Sequence, residues 1–335
     1  MNLAIGFGGL IMVSVLFFIK AFVCALFLAI MTDVLAEDAG DFLSLIEQGE
    51  CHPAANKLHE IALTGNAEAQ LAFGYAASQN LCGAVELGGR YSIDWFRLAA
   101  EQGNAVAQAE LAKKLVGTWN AKNEEEALVW YRLAVEQGNA NAQFGLAQMY
   151  DRGRYVSRNI PRSDSAAMGL YLKAAAQGHV TSYFVLSQIY REGQLVEKDE
   201  SAEAYWNKKG AESGDSYAQN RLADMYRNGR GVIRSDIEAR SWYSKSAKLG
   251  SSYAKTNLAK MLRDGEGGPI NTDVAIQLFI EAAEADDPNA QYELGKIYLE
   301  GLLGVRRDRS KAEFWMIKAA EKLHPLAVLE LEEVD

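Results

Sequence analysis

A short phrase recurs along this chain at intervals of about 36 residues. It reads LAAEQGNAVAQAEL, LAVEQGNANAQFGL, KAAAQGHVTSYFVL, KGAESGDSYAQNRL and KSAKLGSSYAKTNL. A glycine marks the same point in six copies, and Asp286 and Leu323 take its place in the last two; the glycines are Gly65, Gly103, Gly138, Gly178, Gly214 and Gly250. Successive markers are 38, 35, 40, 36, 36, 36 and 37 residues apart. A period in this range is typical of a solenoid of stacked supersecondary units, each of which contacts its neighbours.

Each copy predicts two helices. In one copy, Gly214 ends a helix that contains Trp206, because glycine adopts the left-handed backbone that often follows a helix end. Leu222 and Tyr226 then share one face of the next helix at a spacing of four, and Gly229 ends that helix. We predict that two recurring slots form the core. The large slot holds Trp95, Trp130, Leu170, Trp206, Trp242, Leu278 and Trp315, and the leucine slot holds Phe73, Leu111, Leu146, Leu186, Leu222, Leu258, Leu294 and Leu331.

These slots resemble those of a known family. The pattern A-x-x-x-L-x-x-x-Y-x-x-G, followed by E-A-x-x-W-Y-x-x-A-A-x-x-G, is similar to the Sel-one-like repeat (SLR), a relative of the tetratricopeptide repeat (TPR), over about residues 54–335. The resemblance implies an all-α, TPR-like fold, a right-handed α/α superhelix (solenoid) of about eight antiparallel helix pairs. It also implies an adaptor, scaffold or regulator of assembly, and many bacterial members are exported.

The N-terminus reads as an export signal. Residues 3–31 are almost wholly apolar, and Lys20 precedes an 11-residue apolar run. We predict a signal peptide over residues 1–36, cleaved after Ala36, with translation starting at Met1 or Met12; the alternative is an uncleaved membrane anchor. An N-terminal cap at 37–53 and the repeats at 54–335 would follow. Both interpretations place the repeats outside the cytoplasm. A cleaved signal peptide predicts a periplasmic or secreted protein, and an uncleaved segment predicts a protein anchored to the membrane.

Two cysteines fit an oxidising compartment. The sequence predicts one helix over 53–63 and a second, antiparallel helix over 67–79. Cys51 would lie at the start of the first helix and Cys82 just past the end of the second, so the two lie side by side. We predict a disulfide between them, with two separate buried thiols as the alternative.

Composition constrains the partner. The formal net charge is −10 and the isoelectric point about 5.1, which argues against nucleic acid as a ligand. In the implied superhelix, the first helix of each repeat lines the concave face. The slots that face outward there give the predicted binding residues Phe144, Gln148, Arg152, Phe184, Gln188, Arg191, Asn220, Asp224, Arg227, Thr256, Lys260, Arg263, Tyr292 and Lys296.

Cations recur in this set on successive helices. One interpretation is a groove for a protein or peptide segment with acidic side chains or a C-terminal carboxylate. The other is that the arginines only complement the dipoles of the helices whose last turns they occupy, while neighbouring carboxylates weaken any positive field; these arginines are Arg152, Arg191, Arg227 and Arg263. Phe144, Phe184 and Tyr292 are expected to be exposed anchors.

No catalytic or metal-binding signature is present in the sequence. The four histidines fall at scattered positions, without the spacing of metal ligands, and HExxH, P-loop and GxSxG motifs are missing. Ser252 and Lys255 match SxxK, but they begin an ordinary repeat helix, and we treat the match as chance. The sequence therefore predicts a non-catalytic adaptor without a cofactor. The alternatives are an envelope enzyme or binding protein acting on peptidoglycan or beta-lactams, and an endoplasmic-reticulum adaptor.

Overall fold

The computed structural model describes residues 51–79, 84, 91–118, 120–152 and 161–332. Over these residues the chain forms sixteen α-helices and no strand, which confirms the all-α fold class. The helices are α1 (Cys51–Leu63), α2 (Ala67–Ser78), α3 (Ser92–Glu101), α4 (Ala105–Val116), α5 (Ala121–Glu136), α6 (Ala140–Arg152), α7 (Asp164–Ala176), α8 (Val180–Glu192), α9 (Glu200–Glu212), α10 (Ser216–Asn228), α11 (Asp236–Lys248), α12 (Ser252–Asp264), α13 (Thr272–Glu284), α14 (Pro288–Glu300), α15 (Arg309–Glu321) and α16 (Pro325–Glu332).

Several predictions about the N-terminus fall outside the described residues. The predicted leader lies there, and so do Cys82 and the side chain of Cys51. Of the predicted cap at 37–53, only residues 51–53 are described, and they form the start of α1. The disulfide and the signal peptide therefore stay predictions. In the part of the chain that is described, no helix combines the length and the apolar character needed to cross a membrane.

The marker residues close each helix pair as predicted. All six marker glycines have φ between 81° and 95°, and Asp286 and Leu323 have φ of 61° and 59° at the same point. The next residue then caps a new helix through its side chain: Asn104 accepts a hydrogen bond from the Ala107 N–H at 2.9 Å, for example. A left-handed residue followed by an N-cap thus reverses the chain within three residues.

Consecutive helices pack on one another within two compact units, which divide between Gln177 and Gly178. We call them the N-terminal and the C-terminal unit. The leucine slot is buried in every repeat whose side chain is described, as predicted. The large slot, also predicted to form the core, is buried only at Trp95 and Trp242. It is half-buried at its other five positions, Trp130, Leu170, Trp206, Leu278 and Trp315. The residue one position later, about 100° around the helix, lies deeper; these residues are Phe96, Tyr131, Tyr171, Asn207, Tyr243, Phe279 and Met316.

A ladder of glutamines ties the helices of the N-terminal unit together. On α4, Gln108 donates from Nε2 to the carbonyl of Ala100 at 3.2 Å, and its Oε1 accepts from Gln137 at 2.9 Å. The same two slots hold Gln70 with Gln102 and Gln143 with Gln177, both joined at 2.8 Å. Each glutamine–glutamine bond joins a helix to the end of the helix that follows it, whereas the bond to Ala100 joins α4 to the end of the preceding helix.

The C-terminal unit keeps only half of this ladder. Gln219 and Gln291 still donate to a carbonyl eight residues earlier, each at 3.1 Å. Their Oε1 atoms, however, are buried without a hydrogen-bond partner among the described residues. Leu249 and Lys322 occupy the slots where the N-terminal unit has the donating glutamine. A buried acceptor without a donor costs stability.

We predict opposite effects from exchanging these residues. Gln137→Leu should lower the free energy of unfolding by about 1–3 kcal/mol, because it leaves the buried Oε1 of Gln108 without its donor. Leu249→Gln should raise it by about 1 kcal/mol, because it supplies a donor to Gln219. Urea denaturation followed by circular dichroism measures both, with Leu249→Met as the control that should change nothing. Equal shifts in the same direction for both variants would contradict the ladder.

Candidate interaction surface on the first helices

The helix that follows each marker residue is the first helix of its repeat, and it carries the residues predicted to bind a partner. In the N-terminal unit, Phe144 and Gln148 lie half-buried on α6. The ring of Phe144 lies 5.6 Å from that of Tyr171 on α7, centroid to centroid. The side chain of Arg152 lies outside the described residues.

In the C-terminal unit, two of the predicted residues are buried. Tyr292 is only 7 % exposed and stacks on His324, with ring centroids 4.5 Å apart. The expectation that Tyr292 is an exposed anchor is therefore wrong, because the turn before α16 covers it. Thr256 is also buried, and its hydroxyl donates to the carbonyl of Ser252 at 3.0 Å. The predicted residues Gln188, Asn220 and Asp224 are half-buried.

The predicted cations of this unit all lie close to carboxylates. Arg191 pairs with Glu192, Arg227 with Glu266, Lys260 with Glu293, Arg263 with Asp264 and Glu293, and Lys296 with Glu300, at 2.7–4.0 Å. The carboxylates of Asp264 and Glu293 raise the pKa of Arg263, and Arg263 in turn lowers the pKa of Asp264. The pairs balance the charge of the surface, so the cations do not form a positive groove.

Asp224 gathers hydrogen bonds from two other helices. It lies on α10, and its carboxylate accepts from the hydroxyl of Tyr253 on α12 at 2.9 Å and 3.1 Å, and from the hydroxyl of Tyr243 on α11. Burial, together with the charge of Asp224, raises the pKa of Tyr253 to about 12 and raises that of Tyr243 as well. Asp224 therefore joins three helices.

Aromatic side chains dominate what these first helices expose. Phe184 on α8, Tyr217 on α10 and Tyr253 on α12 are 44 %, 45 % and 42 % exposed. The rings of Phe184 and Tyr217 meet edge to face with centroids 5.4 Å apart. Phe184 is among the residues predicted from the sequence, whereas Tyr217 and Tyr253 are not. Their signal was their common position, three residues after the marker glycines Gly214 and Gly250.

The residues that suggested an enzyme are engaged elsewhere. Lys255 forms an ion pair with Glu281 of α13 at 2.9 Å, while Ser252 begins the same helix as Lys255. His179 and His324 accept hydrogen bonds from backbone N–H groups at the starts of α8 and α16. Nowhere in the described ranges do three or more His, Cys, Asp or Glu side chains gather in a way that could hold a metal ion.

Asp224 and the two tyrosines that donate to it, Tyr243 and Tyr253, form a group that we call the Asp224 cluster. From this cluster we predict how the stability of the protein depends on pH. The pKa of Tyr253 in the folded protein lies above its ordinary value of 10.0, so unfolded Tyr253 ionises first as the pH rises. The stability that Tyr253 contributes is complete below pH 10 and is lost as the pH approaches 12. Asp224→Asn should lower the pKa of Tyr253, and NMR of the tyrosine Cζ carbon measures this, with Asp236→Asn as the control. An unchanged pKa in Asp224→Asn would contradict the role of Asp224.

Known proteins share both the sequence pattern and the fold. A model of the Sel1 repeat matches seven consecutive segments: residues 67–104, 105–139, 140–179, 180–215, 216–251, 252–287 and 288–322. The structure resembles that of a protective antigen present in uropathogenic Escherichia coli strains, which displays an SLR fold; the two are 29 % identical, the match covers 84 % of this chain and 67 % of that one, and the TM-score is 0.59. A Sel1 repeat protein from Oxalobacter formigenes is 27 % identical, with 68 % of this chain and 94 % of that one covered and a TM-score of 0.51.

A curated relative matches over a shorter stretch. It is the ERAD-associated E3 ubiquitin-protein ligase component HRD3A of Arabidopsis thaliana, 37 % identical over 62 residues, which are 18 % of this chain. The match spans only 9 % of the length of that relative. The seven matched segments run without a break from residue 67 to residue 322 and coincide with the helix pairs described above. The chain therefore belongs to the Sel1 repeat family.

Proposed function

We propose that this protein is a non-catalytic scaffold that binds a segment of a partner protein across the first helices of its C-terminal unit. Sel1 repeats generally mediate protein–protein interactions. The observation that carries the proposal is the row formed by Phe184, Tyr217 and Tyr253, which expose large aromatic area on three successive first helices. Rigid aromatic side chains of this kind often supply much of the binding energy at protein interfaces.

The charge of this surface bears on the kind of partner. The ion pairs hold its cations against carboxylates, so an acidic segment would have to displace an existing partner from each of them. Half-exposed pairs gain little from such an exchange in water. The proposed contact is therefore apolar with hydrogen bonds at its rim, and the acidic segment that one interpretation of the sequence suggested is not part of the proposal.

We also propose that the protein is exported. The apolar run that ends near Met31 and the small residues up to Ala36 support a cleaved signal peptide. The similar Escherichia coli protein is described as a protective antigen, and export of this chain fits that description. The short match to an ERAD ligase component favours a second candidate, an adaptor in the endoplasmic reticulum, which also needs export.

Export predicts a defined mature N-terminus. Edman sequencing of the protein recovered from the expressing organism should begin at Glu37, because the enzyme that removes signal peptides cuts after a small residue such as Ala36. An N-terminus at Met1 or Met12 in membrane-bound protein would instead support the anchor.

Site-specific photocrosslinking tests the scaffold proposal. A benzoylphenylalanine at position 184 or 253 should crosslink to one discrete partner protein in cells. The same probe at Tyr205 or Phe314, equally exposed residues on the second helices α9 and α15, should not. These two positions control for exposure and for the reactivity of the probe. Adducts confined to the second helices, or none at any of the four positions, would contradict the proposal.

A further inference from the structure

A hollow of about 300 Å³ opens between the first helices α8 and α10 of the C-terminal unit. Its lining is mostly apolar, and three of its residues are the exposed Val180, Phe184 and Tyr217. Asp215 and Ala218 belong to the start of α10 and complete one wall, and Gly210 of α9 also lines the hollow. The volume is at the lower end of the range of ligand pockets, and it suits one large side chain.

The corresponding place one repeat later is closed by hydrogen bonds. Thirty-six residues after Val180 and Phe184 stand Ser216 and Asn220. The hydroxyls of Ser216 and Ser246 lie 2.8 Å apart, and Asn220 donates from Nδ2 to the hydroxyl of Ser251 at 2.9 Å. These bonds join α10 to the end of α11 and to the turn before α12. Val180 and Phe184 have no polar side-chain atom, so the hollow between α8 and α10 lacks this closure.

A second closing group is also missing from this repeat, because Gly210 stands where the next repeat has Ser246, which bonds to Ser216. The same slot holds a buried small side chain in six other repeats: Ala99, Ala134, Ala174, Ser246, Ala282 and Ala319. A Cβ at position 210 would lie only 2.9 Å from the Cβ of Ala218, so glycine is what allows α9 and α10 to approach this closely. The repeat at 180–215 therefore differs from the next repeat at positions 180, 184 and 210, where it lacks the polar side chains that close the corresponding space.

The charge at the hollow is negative. Asp215 is half-buried in its wall, where its Oδ1 accepts the N–H of Ala218 at 2.6 Å. Arg191 lies against the hydroxyl of Tyr217, but its guanidinium also contacts Glu192 at 2.8 Å, which balances its charge. The charge that remains at the hollow is that of Asp215, on a chain whose net charge is −10. A cation on the ligand complements this arrangement.

From these observations we infer that the hollow binds one large apolar side chain, aliphatic or aromatic, of a partner segment that carries a basic residue beside it. This inference rests on the proposed function and deepens it. The apolar side chain would lie against Val180 and the rings of Phe184 and Tyr217, and the basic residue would contact Asp215. The wall of Val180 and the aromatic edges give the contact its apolar area, and Asp215 selects the neighbouring charge.

Defined peptides test this chemistry on the full chain. The probes are the acetylated and amidated pentapeptides Gly-Lys-Phe-Lys-Gly, Gly-Lys-Ala-Lys-Gly and Gly-Glu-Phe-Glu-Gly, titrated while NMR follows the backbone amides of Gly210 and Asp215. The first peptide should shift both amides in a saturable way. The second should bind on the order of tenfold more weakly, because it lacks the large apolar group. The third should bind several-fold more weakly, because its charge repels Asp215. Equal binding of all three, or shifts only at distant amides, would overturn the inference.

Two variants that exchange side chains between this repeat and the next sharpen the test. The closing variant, Val180→Ser with Phe184→Asn, Gly210→Ser and Asp215→Ser, copies the polar closure of the next repeat and should lose binding while its circular dichroism is unchanged. The opening variant, Ser216→Val with Asn220→Phe, Ser246→Gly and Ser251→Asp, should create a second hollow and raise the stoichiometry from one peptide to two. Binding that survives in the folded closing variant would overturn the inference. If the closing variant does not fold, a stoichiometry of one in the opening variant would overturn it.

Failure of this inference can be told apart from failure of the proposed function. If the closing variant still forms its crosslink from position 253 at the wild-type yield, the scaffold proposal stands and the hollow is not the binding site. If the wild-type chain forms no crosslink from either first-helix position, the scaffold proposal fails, whatever the peptides do.

Discussion

Close approach between helices is the constraint on which the rest of this structure depends. Where each second helix meets its neighbours, one slot holds a fully buried alanine in five repeats: Ala127, Ala167, Ala239, Ala275 and Ala312. A larger apolar group there would force the helices apart, because protein interiors leave no room for an added side chain. Ser92 and Glu203 take this slot in the other two repeats. Glu203 is only 2 % exposed, and its carboxylate accepts from Arg221 at 2.9 Å and from Arg230 at 3.2 Å. An ion pair thus replaces the alanine in the repeat that also carries the hollow.

The hydrogen bonds and ion pairs between neighbouring helices also determine which part of the surface remains available to a partner. The glutamine ladder, the Asp224 cluster and the bond between Ser216 and Ser246 each link neighbouring helices. The predicted cations are used in the same way, since Arg227 reaches Glu266 and Arg263 reaches Glu293. Among the side chains that these links leave exposed on the first helices are three aromatic rings, those of Phe184, Tyr217 and Tyr253. A surface with balanced charge and a row of exposed rings suits a protein segment better than a charged polymer.

The sequence predicted the repeat and its helices because their signals are local. The helices predicted at 53–63 and 67–79 match α1 and α2 to within two residues, and the marker glycines have the left-handed backbone expected of them. The candidate site was less predictable, because its residues depend on contacts between repeats. Tyr292 is buried by His324 of the following turn, and the carboxylate that neutralises Arg227 lies 39 residues later. A single repeat, read in isolation, contains neither contact.

Hydrogen–deuterium exchange of an Ala239→Leu variant tests the close-approach constraint most directly. Ala239 lies on α11 and is fully buried, so an added isobutyl group should separate α11 from α10 and α12. Because each repeat contacts only its neighbours, we expect the amides of α10, α11 and α12 to lose protection while those of α14 keep theirs. Ile237→Leu, on the exposed side of α11, is the matched control. Protection equal to that of the wild type, or a uniform loss along the whole C-terminal unit, would contradict the account.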